Sequence, residues 1–200
     1  MTRLLPALLL ACYAPPDLPT TPYALPHLGD AGPGVCRAER DLRVTCVIDG
    51  DTFGIGDCTP DAGRFRLLGI DAPEAARPGT EAECFADAAT DELRRLAEGQ
   101  LLTVSYDRAC TDVYGRDLVY LWLDAEEAER HIPASLLSRL PAAQGDDQAP
   151  AVLLNAYLLV AGFARRFDAD WVEPLRYEHE LIAAERTAAL RQNGLWARCR

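Results

Sequence analysis

An α+β fold of mainly β character is predicted for this chain: a small five-stranded Greek-key barrel with about three helices packed outside it. Three observations carry the prediction. Short β-branched or apolar runs of strand length recur between glycine- and proline-marked turns. Other segments space their apolar residues as one face of a helix. The order reads strand, strand, strand, helix, strand, strand, helix, helix, over a length of 200 residues that suffices for one domain with appendages.

The runs 43–48 (R-V-T-C-V-I) and 64–70 (R-F-R-L-L-G-I) have strand composition. Between them Asp49-Gly50 makes a tight turn into a strand at 52–55, and Gly56, Pro60 and Gly63 mark the turn that follows. Pro73 closes the third strand. Over 81–98, Phe85, Ala88, Ala89, Leu93 and Leu96 fall on one helical face, with Gly99 just past the end. Strands follow at 101–106 and 117–123. Residues 125–150, acidic and then rich in Pro, Gln and Asp, read as an inserted surface loop with a helical turn at 134–140. A helix over 151–161 ends at Gly162, and another over 174–193 has Pro174 near its first turn and Gly194 after its end. This order suits a barrel of the OB type.

The N-terminus carries one arginine, a short apolar run and Leu9-Leu10-Ala11-Cys12. The run is too short to span a bilayer and fits the front of a secretory signal. Leu-x-Ala-Cys resembles the lipobox of bacterial lipoproteins, which makes Cys12 the candidate lipidation site and residues 1–12 the signal; an ordinary cleaved signal or a misassigned start is the alternative. Proline-rich residues 13–35 read as a tether, and residues 36–200 as the folded unit. Setting Cys12 aside leaves Cys36, Cys46, Cys58, Cys84, Cys110 and Cys199, an even set suited to disulfides in an oxidising compartment. Cys84 with Cys110, a helix tied to a nearby strand, is the preferred pair. Absence of any C-x-x-C disfavours a zinc site.

All 20 basic residues are arginine, and the net charge is −11. So acidic a chain is a poor general polyanion binder; contact with nucleic acid must be local. The segment 44–74 supplies it: V-T-C-V-I-D-G-D-T-F and R-F-R-L-L-G-I-D-A-P-E deliver Asp51, Asp71, Glu74 and Arg66 from strand ends. Carboxylates beside a forked cation are what a hard metal ion and a phosphate diester need. D-V-Y-G-R adds Arg116 as a second phosphate clamp. Together they point to a metal-dependent phosphodiesterase. Trp171 is a candidate for base stacking, and Asn155 reads as a structural amide.

D-G-D-T (49–52), R-L-L-G-I-D-A-P-E (66–74), D-V-Y-G-R (112–116), the helix L-L-N-A-Y-L-L-V-A-G-F-A (153–164) and G-L-W-A-R-C (194–199) occur in an order that resembles the thermonuclease (staphylococcal nuclease-like) family. The resemblance implies an OB-fold barrel and calcium (Ca2+) as cofactor. Asp51 and Asp71 would be its ligands, with the backbone carbonyl of Ala72, where the family usually has threonine, and Thr52 in the outer shell. Glu74 matches the family's general base, Arg66 and Arg116 its phosphate clamps, and Tyr114 its nucleotide-contacting tyrosine. Val113 stands where the family has lysine, which weakens affinity for long polyanions. The implied activity is endonucleolytic hydrolysis of DNA or RNA, favouring single strands, with low sequence preference and 3′-phosphate ends. The expected setting is the bacterial cell envelope or outside it, reached by export and a lipid anchor at Cys12, with no obligate protein partner. The competing readings are a catalytically silent OB module that binds nucleic acid or protein, and a calcium-stabilised envelope lipoprotein without a substrate.

Overall fold

The computed structural model describes residues 36–140, 151–167 and 174–199. Residues 1–12 with Cys12, the tether at 13–35 and Trp171 lie outside the described residues. The strands are Arg40–Arg43 (β1), Cys46–Val47 (β2), Thr52–Gly54 (β3), Arg64–Leu67 (β4), Ile70–Asp71 (β5), Leu101–Thr111 (β6), Asp117–Asp124 (β7), Ala151–Leu153 (β8) and Arg165–Arg166 (β9). The helices are Ala86–Ala97 (α1), Ala125–His131 (α2), Ala134–Leu137 (α3), Leu154–Ala161 (α4), Glu178–Arg191 (α5) and Leu195–Arg198 (α6). Among the described residues the main sheet runs β1-β6-β7-β4-β3-β2, with β8 also paired to β7, and β5 pairs with β9. Only β4–β7 is parallel in the main sheet. It is a mixed sheet curved into a half-barrel with helices packed on it, the α+β class of OB type that the element order predicts.

Two expected strands each prove to be two, because the chain changes partners within them. At Val44 the backbone leaves β6, exchanges hydrogen bonds with Gln100 and Gly99 at 3.0 and 2.8 Å, and continues as β2 against β3. At Gly69, φ +76, the chain leaves the β4 ladder and turns into β5, a conformation that glycine adopts without steric cost. The helix expected from residue 81 starts only at Ala86. Glu83 donates its N–H to the Glu74 carbonyl at 2.9 Å and Cys84 is held in a disulfide, so this segment belongs to a loop.

The expected Cys84–Cys110 pair is not formed. Cys84 bonds Cys199, Cys36 bonds Cys110 and Cys46 bonds Cys58. The helix comes to lie beside the chain's C-terminal turn, while Cys110, at the far end of the long strand β6, meets the segment that precedes β1. The supposed surface insert is also partly core. Asp124 caps α2 by accepting the Glu126 N–H at 2.8 Å, and Ala128 and Ile132 are buried against the barrel. α3 falls within the helical turn expected at 134–140; residues 141–150 lie outside the described residues. Of the helix expected over 151–161, the first three residues pair with β7 as β8.

Every residue of α4 is buried, as a helix that is apolar all round should be. Its amide side chain, Asn155, is fully enclosed. It accepts the Leu121 N–H at 3.0 Å and donates to the Leu68 and Val119 carbonyls at 2.9 and 3.3 Å. The end of α4 meets the corner between α5 and α6 with no room for side chains: a Cβ on Gly162 would stand 2.3 Å from the Asn193 carbonyl oxygen.

Among the tyrosines of this core, Tyr120, Tyr157 and Tyr177 have perturbed phenols. Burial raises the Tyr120 hydroxyl well above its ordinary value, with Asp107 adding to the effect; burial also raises Tyr157, and pushes Tyr177 up to about 12. Each folded value lies above the unfolded one near 10. The stability that the neutral phenols contribute is therefore complete below about pH 10 and is lost as pH rises through the folded values. In an alkaline titration, phenolate absorbance from these rings is expected to appear together with loss of circular dichroism. Their ionisation in a still-folded protein would contradict the packing described.

Candidate active site

The turn before β3 is pinned from both sides. The Asp49 carboxylate accepts the Asp51 N–H at 3.1 Å, and a Cβ on Gly50 would lie 2.7 Å from the Cβ atoms of both Ala72 and Ala89. Only glycine lets the turn sit this close to α1 and to the residues after β5. Along β4 the pleat sends Phe65 and Leu67 into the core and turns Arg64 and Arg66 to the other face. Arg66 lies across the ladder from Thr52. The Gly69 turn then brings Asp71 back towards Arg66.

Arg66 joins the two acids. Its Nη1 bonds the Asp51 carboxylate, and its Nη2 donates to Asp71 Oδ1 at 2.6 Å and to the Ile70 carbonyl at 3.1 Å. The other Asp51 oxygen accepts the Ala72 N–H at 2.7 Å, and Thr52 Oγ1 donates to Oδ1 at 3.0 Å. Asp51 is 1% exposed, and burial raises its carboxyl above the ordinary range while Arg66 opposes the rise. For Arg66, burial acts against the charge, but Asp51 and Asp71 outweigh it and raise the pKa. The structure thus gathers Asp51, Thr52, Arg66, Asp71 and Ala72 at one point.

Arg116 approaches from the turn before β7. Asp112 organises that turn by accepting the N–H groups of Tyr114 at 2.9 Å and Arg116 at 3.0 Å, and the Arg116 Nε–H at 2.7 Å. Burial acts to raise the Asp112 carboxyl, and the Arg116 hydrogen bonds overcome it and hold it low. Arg116 Nη1 lies 3.5 Å from Thr52 Oγ1, beside the Asp51–Arg66 pair. Tyr114 is 81% exposed with the Arg116 guanidinium 5.6 Å from its ring centre, so its outer face is open to solvent.

Glu74 stands apart from this group. Its N–H donates to Glu83 Oε2 at 3.1 Å, and its half-exposed carboxylate accepts from Arg77 Nη2 at 2.5 Å. A cleft of about 210 Å³ opens beside Asp71, lined also by Pro73, Glu83, Arg165 and the Cys84–Cys199 bridge. Sequence reasoning missed Arg77 and Asp112. The D-x-x-G turn was a signal for Asp112; nothing in R-P-G-T singles out Arg77.

The donor chemistry fits a hard cation: two carboxylates, one of them half-exposed, against a single guanidinium leave a net negative charge. Among the described residues no three His, Cys, Asp or Glu side chains converge as a metal site. A cation held here would rest on two acids, with any remaining donors to come from backbone and water. Two guanidinium groups on the same wall can grip a phosphate from two directions.

Residues 64–198 match the family model described as staphylococcal nuclease homologue. The chain is 40% identical over 95 residues to a thermonuclease of Staphylococcus intermedius, covering 45% of this chain and 56% of that protein. It is 34% identical over 101 residues to a thermonuclease of Staphylococcus hyicus, covering 50% and 59%. The chain thus spans somewhat more than half the length of these curated relatives. Arg66, Asp71, Glu74 and Arg116 fall inside the matched range, and Asp51 lies just before it. With well over half of its residues matched, the chain belongs to the staphylococcal nuclease homologue family.

Proposed function

We propose that the chain is a calcium-dependent nuclease that hydrolyses phosphodiester bonds in DNA or RNA with little sequence preference and leaves 3′-phosphate ends. The observation that carries the reading is Arg66 bonded to both Asp51 and Asp71, with Arg116 reaching Thr52 beside them. Thermonuclease names on the relatives agree with it.

Arg66 and Arg116 hold the scissile phosphate and stabilise the charge that grows on its oxygens in the transition state. Glu74 takes a proton from the water that attacks phosphorus; the bond to the 5′-oxygen breaks, and that oxygen takes a proton from solvent. For this the Glu74 carboxylate must leave Arg77. Tyr114 offers its open ring to a base. Asp51, Asp71 and the Ala72 carbonyl are the groups that would hold calcium, which when bound supplies charge neutralisation at a phosphate oxygen. Three disulfides support export to an oxidising compartment, and a lipid anchor at Cys12 completes the proposed placement in the bacterial envelope.

The Glu74–Arg77 pair favours one second reading, a silent OB module that binds nucleic acid without cutting it. Calcium calorimetry and end-group analysis separate the two. The wild-type chain is expected to bind calcium, Asp51→Asn to lose at least about tenfold in affinity, and the products to accept 5′-phosphate from a kinase without prior dephosphorylation. Equal calcium affinity in Asp51→Asn, or uncut DNA, would remove the calcium-nuclease reading.

A further inference from the structure

We infer that Arg64 is a further phosphate-binding arginine, which holds the phosphodiester next to the one gripped by Arg66 and Arg116, so that this wall binds a polynucleotide and not only a single nucleotide. The inference rests on the nuclease reading for which phosphate is cut, but not for the binding itself.

Placement comes first. Arg64 and Arg66 alternate with Phe65 on β4 and so share its outer face, while Phe65 stacks on Phe53 on the other, with ring centres 5.0 Å apart. Two residues along a strand separate side chains by about 6.6 Å, close to the separation of neighbouring phosphates on a nucleic-acid strand. In the parallel ladder Phe65 pairs with Asp117 and Arg66 with Leu118. One step back along the same register sets Arg64 beside Arg116. Across the other ladder Arg64 faces Gly54, which has no side chain to cover it.

Charge is the second argument. Arg66 has Asp51 and Asp71, and Arg116 has Asp112. Among the described residues Arg64 has no carboxylate within ion-pair distance, and its Nε is buried without a hydrogen-bond partner. A half-buried guanidinium beside another cation, with a buried donor unmet, is costly to keep. In a chain with 31 acidic residues and a net charge of −11, a counter-ion would be easy to supply from the protein itself. A phosphate oxygen at the exposed part of the guanidinium meets the charge that no carboxylate among the described residues meets.

The test is binding of an oligothymidylate and of a thymidine mononucleotide by the full chain in a metal chelator, which withholds calcium. Arg64→Ala is expected to weaken the oligonucleotide by about tenfold and to lower the salt slope of its binding by about one. Its loss on the mononucleotide should be several-fold smaller. Arg64→Lys, which keeps the charge, should recover part of the affinity, a result that a purely structural role for Arg64 does not predict. Equal losses on both ligands, an unchanged salt slope, or no oligonucleotide binding by the wild-type protein at low salt would each overturn the inference. Hydrolysis assayed separately with calcium scores the nuclease reading. Arg64-dependent binding without hydrolysis would leave the inference standing and remove the enzyme.

Discussion

Arg66→Ala is expected to lower hydrolysis by about three orders of magnitude and, at the same time, to destabilise the fold by about 3 kcal/mol. In the proposed mechanism the first effect follows from loss of a phosphate clamp whose charge is stabilising chiefly in the transition state. The second follows from what Arg66 does without substrate: it is the counter-ion of Asp51, which is 1% exposed. With the guanidinium gone, Asp51 keeps only the Ala72 N–H and the Thr52 hydroxyl, too little to hold a charge away from water. Steady-state rates and urea unfolding measure the two effects independently. A folded variant with near-wild-type turnover would sink the clamp; unchanged stability would show that Asp51 does not depend on Arg66.

Arg116→Ala should separate these effects. We expect turnover to fall by about two to three orders of magnitude with stability changed by no more than about 1 kcal/mol. The reason lies in its surroundings. Arg116 comes from a turn, and its side chain is 26% exposed. Asp112 retains the Tyr114 and Arg116 backbone N–H groups after truncation, so no buried charge is stranded. A loss of several kcal/mol would mean that the pair is structural. Rates within tenfold of wild type would leave Arg66 as the sole clamp.

The contrast between the two arginines marks the limit of what the chain discloses before folding. R-F-R-L-L-G-I-D-A-P-E shows which residues could meet, because strand alternation and the Gly-Ile-Asp turn are local. It does not show that Arg66 would be the partner of both acids, since that depends on how closely the Asp49-Gly50 turn approaches Ala72 and α1. Glu74 reads as one of a cluster of carboxylates and lies with Arg77 instead, because the loop between Pro73 and Cys84 closes on itself through Glu83. Strand breaks at Val44 and Gly69 record changes of partner, which composition does not encode. The cysteine pairing failed for the same reason: Cys84 and Cys199 are 115 residues apart, and only the packed fold brings them together. Arg64 carried a legible signal, the same pleat that turns Arg66 away from the core face. Its significance lay in a missing counter-ion, which only the folded chain reveals.

Release of acid-soluble nucleotide from heat-denatured DNA by the oxidised full chain, first with calcium and then with a calcium chelator, is the most direct test of the central claim. Release that requires calcium and is lost in the folded Arg116→Ala variant is the predicted result. No release by folded wild-type protein with its three disulfides formed, or release that the chelator leaves unchanged, would contradict it.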